Sequence, residues 1–580
     1  MIISLLLSTP EDVIRNWVSP FLDVSGCVNN CYKISVKIKK KMGSPIGFAT
    51  NMIDLLVLIP REVIRDKIFP FYDVLSLVRL DSATLSHEHR PNLLCHVLHD
   101  SVVVGDTTYN RGMAAWLAKR NIHVQNIEFP KETEPEDLEV ATPVMSVADS
   151  INLSFCAKLT NECVKTMISK SGSLKSIALE GCTWLEDDTL LVLAQHSYAL
   201  EQCLLSNCPL VTDAGLACFL NKCTIFELQL DNCRQVGELS MSALSDFPMS
   251  SLNIARCPFV TDADVVKFVQ GNNDLLSDFI LTDNDQLTDL SLLAIAEHCP
   301  TLRGLDISHN SRWTDMGLCR VIEACQLYTF RADGCELSPT MLERLCTRVN
   351  PDLSTLCIDP CAALTEQLLE ALVTRCTLMW DLKLSHTDGV NDRTLRCMGE
   401  NLPSLACITL DSCPNVRLEG LRALVRGCPH LEEIHLLACP LVCDQCLIEI
   451  AEHSKSLCWL SLTDNANVTD SGVRALAQLS GTLMRMKLIN TSLTDDAIEY
   501  LVKCCPLITM LDLEGRNVVS PSLQRLAEQR GIHMWLEGDT EVNEEIIQNA
   551  IDDADLSGGD SENDSGSEND SYFNDGDDDG

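Results

Sequence analysis

Apolar residues recur along the chain at a spacing of about 24 to 27 residues, each within a short alternation such as Leu252-x-Ile254. Such an alternation indicates a strand with one buried face. An amphipathic helical stretch follows, as in Asp289 to His298, and a proline often ends it. The pattern predicts about 15 repeated strand–turn–helix units. The predicted strand starts are Ile151, Ile177, Cys203, Leu228, Leu252, Phe279, Leu305, Phe330, Leu356, Leu382, Ile408, Ile434, Leu460, Met486 and Leu511.

A small residue follows each predicted strand, where the chain turns. It is cysteine in most units, at Cys182, Cys208, Cys233, Cys257, Cys335, Cys361, Cys413 and Cys439. It is asparagine at Asn284, Asn310 and Asn465. Both side chains can bond to backbone groups of a turn. A Thr–Asp pair then follows, as at Thr261–Asp262, and can cap the next helix. The recurring cysteines are therefore predicted to be core residues.

This unit resembles the cysteine-containing leucine-rich repeats of F-box proteins, over residues 151–536. The resemblance implies an α/β fold, a right-handed leucine-rich-repeat solenoid shaped like a horseshoe. Its parallel sheet would line the concave face and its helices the convex face. Such a fold implies a binding surface and not an enzyme.

Residues 52–98 resemble an F-box. In that family an L-P pair opens a three-helix motif whose apolar residues bury against the Skp-type adaptor of a cullin ubiquitin ligase. The corresponding residues here are Ile59, Pro60, Val63, Ile64, Ile68, Phe69, Phe71, Leu75 and Leu77. The sequence departs from the motif at Tyr72 and over residues 83–89. The alternative is a small helical cap that seals the first repeat, as terminal repeats require.

The flanking segments complete the predicted domain organisation. Residues 1–51 contain a partial copy of the F-box-like stretch, offset by 50 positions, and a lysine-rich linker at 37–41, together predicted to be poorly ordered. That linker is either a nuclear-import patch or a solvated connection. Residues 99–150 are predicted as a lead-in, with a strand at 101–104, a helix at 111–120, a strand at 124–129 and then an acidic loop. Residues 537–580 form an acidic tail that is too polar to fold.

The formal net charge of the chain is −39. The tail contains acidic residues but no Lys or Arg, and a net charge of about −22 remains when the tail is left out. Nucleic acid is a poor partner for such a chain, because phosphate binding requires clustered cations. A protein with a basic patch is the better electrostatic match. No stretch approaches the length of a membrane span, so no membrane is predicted. The 30 cysteines and the unconvincing N-terminal signal favour the cytoplasm, the nucleus or both.

Motifs for catalysis and cofactors were sought without success. The chain has no phosphate-binding P-loop, no glycine-rich dinucleotide fingerprint and no H-E-x-x-H. Cys443 and Cys446 form a C-x-x-C pair without the second pair that a structural zinc site needs. We therefore predict no catalytic residue, no metal and no cofactor.

If the repeats are in register, the outward positions of the concave strands can be read from the sequence. The central columns are acidic, and the later repeats add His435 and Trp459, the best single anchor. The predicted partner-binding residues are Asp231, Asp278, Asp306, Asp333, Asp359, Asp381, Asp411, His435, Leu437, Trp459, Arg485, Lys487 and Met510. Alternatively, the acids solubilise an exposed sheet, and the Trp459 cluster contacts the C-terminal segment.

The tail carries a pattern that acidophilic kinases prefer, a serine with an acid three residues on. It occurs at Ser557, Ser561, Ser565 and Ser567. Phosphorylation would add nearly two charges at each site. The alternative is a purely solubilising tail. Overall, the sequence favours the substrate-recognition subunit of an SCF-type ubiquitin ligase that directs proteins to degradation. The alternatives are a scaffold that never meets the adaptor, and an inhibitor-type regulator.

Overall fold

A computed structural model describes residues 102–103, 107–172, 174–272, 275–479, 481–515 and 519–536. The chain divides into two compact units, one up to Ile280 and one from Leu281 onwards. The F-box-like residues of 52–98, the duplicated segment 1–51 and the tail serines lie outside the described residues. Among the helices that the structure describes, none is long and apolar enough to cross a membrane.

The first unit is built from short parallel strands that alternate with helices. Its strands are β1 (Val102–Val103), β2 (His123–Val124), β3 (Asn126–Glu128), β4 (Ser150–Asn152), β5 (Ser176–Ala178), β6 (Gln202–Leu204), β7 (Glu227–Gln229), β8 (Ser251–Asn253) and β9 (Asp278–Ile280). Its helices are α1 (Arg111–Ala118), α2 (Pro135–Ala141), α3 (Asn161–Ile168), α4 (Asp187–His196), α5 (Asp213–Leu220), α6 (Glu238–Leu244) and α7 (Asp262–Gly271). Strand β1 pairs with β2, and β3 to β9 pair in chain order.

The second unit repeats the same plan. Its strands are β10 (Gly304–Asp306), β11 (Thr329–Arg331), β12 (Thr355–Cys357), β13 (Asp381–Lys383), β14 (Cys407–Thr409), β15 (Glu433–His435), β16 (Trp459–Ser461), β17 (Arg485–Lys487), β18 (Met510–Asp512) and β19 (His533–Trp535). Its helices are α8 (Asp289–His298), α9 (Asp315–Ala324), α10 (Pro339–Arg348), α11 (Glu366–Arg375), α12 (Asp392–Asn401), α13 (Leu418–Gly427), α14 (Asp444–His453), α15 (Asp470–Ala475), α16 (Asp495–Cys504) and α17 (Pro521–Arg530). Strands β10 to β19 pair in parallel and in chain order.

The predicted spacing is confirmed, but each strand begins one residue before its predicted start. Each predicted start is the central residue of its strand, from Ile151 in β4 to Leu511 in β18, and each is buried. Central residues also pair with each other, as Leu382 does with Ile408. Because alternate strand residues point to opposite faces, the residues on either side of each centre lie on the other face. The α/β repeat fold that the resemblance implied is therefore the observed one.

The turn after most of the repeat strands reverses the chain through a left-handed residue placed just before the small one. Gly334 has φ +68° before Cys335, and Asp464 has φ 57° before Asn465. The small residue then bonds back to the preceding repeat. The Cys439 thiol donates to the Leu410 carbonyl at 3.0 Å. The predicted inward bonding of Cys and Asn is confirmed, since one short polar side chain satisfies a buried carbonyl.

An aspartate at the first position of one helix holds the start of the next. Thr469 donates to Asp444 through its backbone N at 2.7 Å and its hydroxyl at 2.6 Å. Thr212 makes the same pair of bonds to Asp187. A Cβ on Gly215 would lie 1.9 Å from the Asp187 carboxyl carbon, so the close approach requires glycine. These bonds satisfy helix-terminal N–H groups that lack an intrahelical partner.

The sequence prediction was wrong in one place before the first repeat. The acidic loop expected after residue 129 contains helix α2, which begins at Pro135. Its Glu134 and Asp137 form a reciprocal capping box, and Tyr109 and Arg111 both donate to Asp137. Proline at the first helical position and acids in the first turn are helix-start signals.

Candidate protein-interaction face

Within each unit, the residues before and after each strand centre, with the third residue after it, form a surface that we call the open face. The side chains confirm that these positions share one side. Lys383 follows the centre of β13, and its Nζ lies 3.4 Å from a carboxylate oxygen of Asp333, the third residue after the centre of β11. Every predicted partner-binding residue occupies one of these positions.

Most acidic residues of the open face are already bonded within the protein. In the first unit, Arg256 grips Asp231 with two donors, at 2.8 and 2.5 Å. Asp278, at the start of β9, is exposed and accepts from the Ser277 hydroxyl. These two carboxylates thus differ, because Asp231 is neutralised by a bidentate partner and Asp278 is not.

In the second unit, the acidic side chains of the open face mainly accept hydrogen bonds from backbone N–H groups. Asp333 accepts from the Asp359 N–H at 2.8 Å, and Asp411 from the Leu437 N–H at 2.8 Å. Burial raises the pKa of Asp333 and of Asp411, and these hydrogen bonds offset only part of that effect. Three predicted acids remain. Asp306 accepts a hydrogen bond from the Ser308 N–H, and Asp359 contacts His386 at 3.3 Å. Asp381, the first residue of β13, is half-buried.

The predicted aromatic anchor lies within a stack of three side chains on β15, β16 and β17. The rings of His435 and Trp459 meet edge to face, with centroids 4.5 Å apart. The Arg485 guanidinium carbon lies 4.9 Å from the Trp459 ring centroid. The structure therefore brings His435, Trp459 and Arg485 together as one cluster, which combines a π face with a cation.

The other predicted residues frame this stack. Lys487 Nζ lies 3.7 Å from Asp512, and burial raises the pKa of that carboxyl. Leu437 is half-buried beside its bond to Asp411. Met510 is only 9% exposed and packs on Trp535 of β19, which is 6% exposed. Met510 therefore forms a wall of the cluster and offers little surface of its own.

Three comparisons place this geometry among known proteins. A family model described as "Leucine Rich repeat" matches residues 453–477, across β16. This chain carries leucine-rich repeats. Among curated proteins, F-box/LRR-repeat protein 4 of Bos taurus is 25% identical over 221 residues, which are 38% of this chain and 32% of that protein. The chain thus matches about a third of that relative's length, and the predicted family resemblance is confirmed by these two matches.

Solved structures also resemble the chain. The Rad7 and Elc1 complex of yeast aligns with 15% identity and a TM-score of 0.38, covering 88% of this chain and 97% of that one. The mouse RP105/MD-1 complex aligns with 14% identity and a TM-score of 0.36, covering 70% and 68%.

The turn cysteines of the leucine-rich repeats are buried thiols. Burial raises the pKa of Cys439 to about 12 and that of Cys233 to about 11. Since the thiolate is the nucleophile and metal ligand, these cysteines stay protonated and inert at neutral pH. Cys446, at the start of α14, is buried in the same way, and burial raises its pKa to about 12; its sulfur lies 3.9 Å from that of Cys443.

Within the part of the chain that the structure describes, one group of possible metal-ligand atoms occurs on the helix side of the repeats. Atoms of Glu449, Glu452 and His453 lie within 4.8 Å of one another. Glu449 is nearly buried, and it pairs with Arg422 at 2.8 Å and Arg426 at 3.2 Å. Two guanidinium groups already pair with this carboxylate, so the ion-pair network explains why these residues lie together without a metal ion.

Two aromatic residues of the interaction region were missed from sequence. Trp535 lies in β19, which does not appear among the predicted strand positions, because His533-Met-Trp lacks the leucine and cysteine of the repeat. Trp380 is 45% exposed, two residues before the centre of β13, at the rim of the open face. A search for exposed tryptophan just outside each strand would have found it.

Proposed function

We propose that the chain recognises a protein through its open face and presents that protein to the adaptor of a cullin-type ubiquitin ligase. The observation that supports recognition is the His435–Trp459–Arg485 stack, a half-buried aromatic and cationic cluster on exposed strands. Interface energy is usually concentrated in such Trp and Arg anchors. Acidic open-face residues would attract a partner with a basic patch.

The adaptor role is supported by the F-box-like segment 52–98 and by a relative whose name includes an F-box. Phe69 and Phe71 are the largest apolar residues of that segment that the family buries against its adaptor. We propose that these residues bind the Skp-type adaptor, and that the repeats choose the substrate. The protein would act in the cytoplasm or the nucleus.

The chain would make and break no covalent bond in this function. Its contribution would be proximity, because tethering a substrate beside the ligase raises its effective concentration near the catalytic subunits. Ubiquitin transfer would belong to the partner subunits. Kinases that prefer acidic sequences would phosphorylate the tail at Ser557, Ser561, Ser565 and Ser567.

The adaptor proposal is tested by purifying the tagged full chain from eukaryotic cells and measuring the recovered Skp-type adaptor and cullin. We expect both with the wild type, and at least a tenfold loss with Phe69→Ala/Phe71→Ala. The matched control is Trp459→Ala, which should keep the adaptor and lose the substrate. Absence of the adaptor from the wild-type sample would refute the ligase role.

Substrate delivery needs a second measurement in the same cells. Proteins that bind the wild type, but not Trp459→Ala, should accumulate when Phe69 and Phe71 are replaced, because they are bound and no longer ubiquitinated. If those proteins keep an unchanged half-life, the chain acts as a scaffold or an inhibitor-type regulator. The departures from the F-box pattern over residues 83–89 favour that second function.

A further inference from the structure

Arg485 occupies an apolar position in the first row of the open face, formed by the residue before each strand centre. Glu433, Trp459, Arg485 and Met510 are in register across β15 to β18. Trp459 separates Arg485 from Glu433 on one side, and Met510 lies on the other. A guanidinium between two apolar side chains interacts more strongly with an incoming charge than one in open water.

Arg485 also differs from the other cations of the open face in what it binds. Lys487 pairs with Asp512, and Lys383 pairs with Asp333. Across the described residues, the recorded contact of the Arg485 guanidinium is its stacking on Trp459, with no hydrogen bond or ion pair. The chain has 83 acidic residues, and none of those that the structure describes forms an ion pair with Arg485, because of where Arg485 lies in the sheet.

The Nε atom of Arg485 is buried and has no hydrogen-bond partner. A buried donor without an acceptor is destabilising, and a charged one more so. Stacking on Trp459 also fixes the plane of the guanidinium, so its donors are oriented before a ligand arrives. The two terminal nitrogens are not among the buried atoms, and an acceptor with two oxygens in the guanidinium plane would accept from both of them.

We infer that Arg485, held on Trp459 and walled by Met510, is a binding site for a side-chain carboxylate, an Asp or Glu of the protein partner. This inference rests on the proposed recognition function and specifies its chemistry. The partner segment would carry one acidic residue at Arg485 and basic residues toward the acidic strands. The opposed charges would fix the direction in which the segment lies on the face.

A carboxylate fits this site better than a phosphate group. Glu432 and Glu433 lie just before and within β15, one strand beyond Trp459, and would repel a doubly charged ligand more strongly. Arg485 contributes one guanidinium, and the nearby Lys487 is engaged by Asp512. A single planar fork matches the geometry of one carboxylate.

The test uses a displayed library of random 12-residue peptides, selected on the immobilised full chain. We expect the enriched peptides to share an Asp or Glu. Changing that residue to its amide, or Arg485 to Met, should each weaken binding at least tenfold. Combining the two changes should weaken it little further, because both remove the same contact.

The matched control is Arg474→Met. Arg474 also stacks on an aromatic ring, 5.0 Å from the Tyr500 centroid, but it lies on a helix away from the open face. It should leave peptide affinity unchanged. Arg485→Lys keeps the charge without the planar fork and should lose part of the affinity. Thermal melting of each variant checks that the fold is retained.

The site assignment is overturned if enriched peptides share no acid, if the two tenfold losses multiply independently, or if only phosphorylated or C-terminal carboxylate peptides bind. A selection that yields no Arg485-dependent peptide overturns it as well. Arg485→Met should still co-purify the adaptor. Loss of peptide binding with intact adaptor binding would therefore leave the ligase role standing, and absence of the adaptor would leave the carboxylate site standing.

Discussion

Two regions of the same open face treat charge in opposite ways. From β11 to β14, Asp333 and Asp411 accept hydrogen bonds from backbone N–H groups, and Lys383 forms an ion pair with Asp333. From β15 to β17, Arg485 lies on Trp459 with a buried Nε that has no partner. The acidic region has more charge, but the aromatic region has more unmet bonding capacity. Binding energy is thus better predicted from unsatisfied groups than from the sign of a surface.

The largest effect should come from the aromatic region. Trp459→Ala should weaken partner affinity by about 2 kcal/mol, or roughly thirtyfold, because it removes an anchor and the support of Arg485. Calorimetric titration of an identified partner gives the value. Trp380→Ala, at the rim, serves as the matched control and should change affinity by about twofold or less. Equal losses in the two variants would contradict the contrast.

A smaller effect, on stability, should distinguish the buried acids. Burial raises the pKa of Asp411 in the folded state, so the folded protein binds the proton more tightly than the unfolded chain. Its ionisation destabilises the fold above the folded pKa, and this penalty disappears as pH falls through that pKa. Asp411→Asn should therefore stabilise the protein at pH 7 by about 1 kcal/mol or less, with the gain vanishing toward pH 4.

Asp444 provides the control of opposite sign. Burial alone would raise its pKa, but hydrogen bonds from Ser471 and Thr469 outweigh that effect and lower it. Asp444→Asn should destabilise the protein at pH 7, and the loss should diminish as pH falls below about 4. Chemical unfolding from about pH 2 to pH 8 measures both variants. Parallel pH profiles for the two substitutions would contradict the assignments.

The smallest effect should come from neutralising open-face acids one at a time. Asp359→Asn should change partner affinity by about 0.5 kcal/mol or less, mainly through a slower association rate. Raising the salt concentration should slow association of the wild type in the same way, because mobile ions screen exposed charges. Stopped-flow measurements at two salt concentrations test this. A change confined to the dissociation rate would show that Asp359 makes a buried contact.

The register of the repeats could be predicted because every repeat carries similar residue types at the same offsets. A strand centre, a small turn residue and a Thr–Asp pair recur at fixed offsets, so the spacing from Ile151 to Leu511 was predicted correctly. Contacts between units could not be predicted. Lys383 and Asp333 are 50 residues apart, and their pairing depends on how strands stack. The partners of Asp411 and the isolation of Arg485 are of the same kind.

Errors occurred where the repeat signal ends. Helix α2 carries proline and acids at its start, yet its surroundings have no repeat to give it a phase. Strand β19 keeps the spacing but not the residue types.

Thr469 donates a hydrogen bond to Asp444, and Thr212 donates one to Asp187, so each of these helix starts depends on the preceding repeat. Every such helix start leans on its predecessor, so removing repeats from the N-terminal side strips acceptors from N–H groups that remain. At the same helix starts, removing the following repeat leaves a carboxylate that water can solvate. Truncation from the N-terminal side should therefore destabilise these helix starts more than truncation from the C-terminal side.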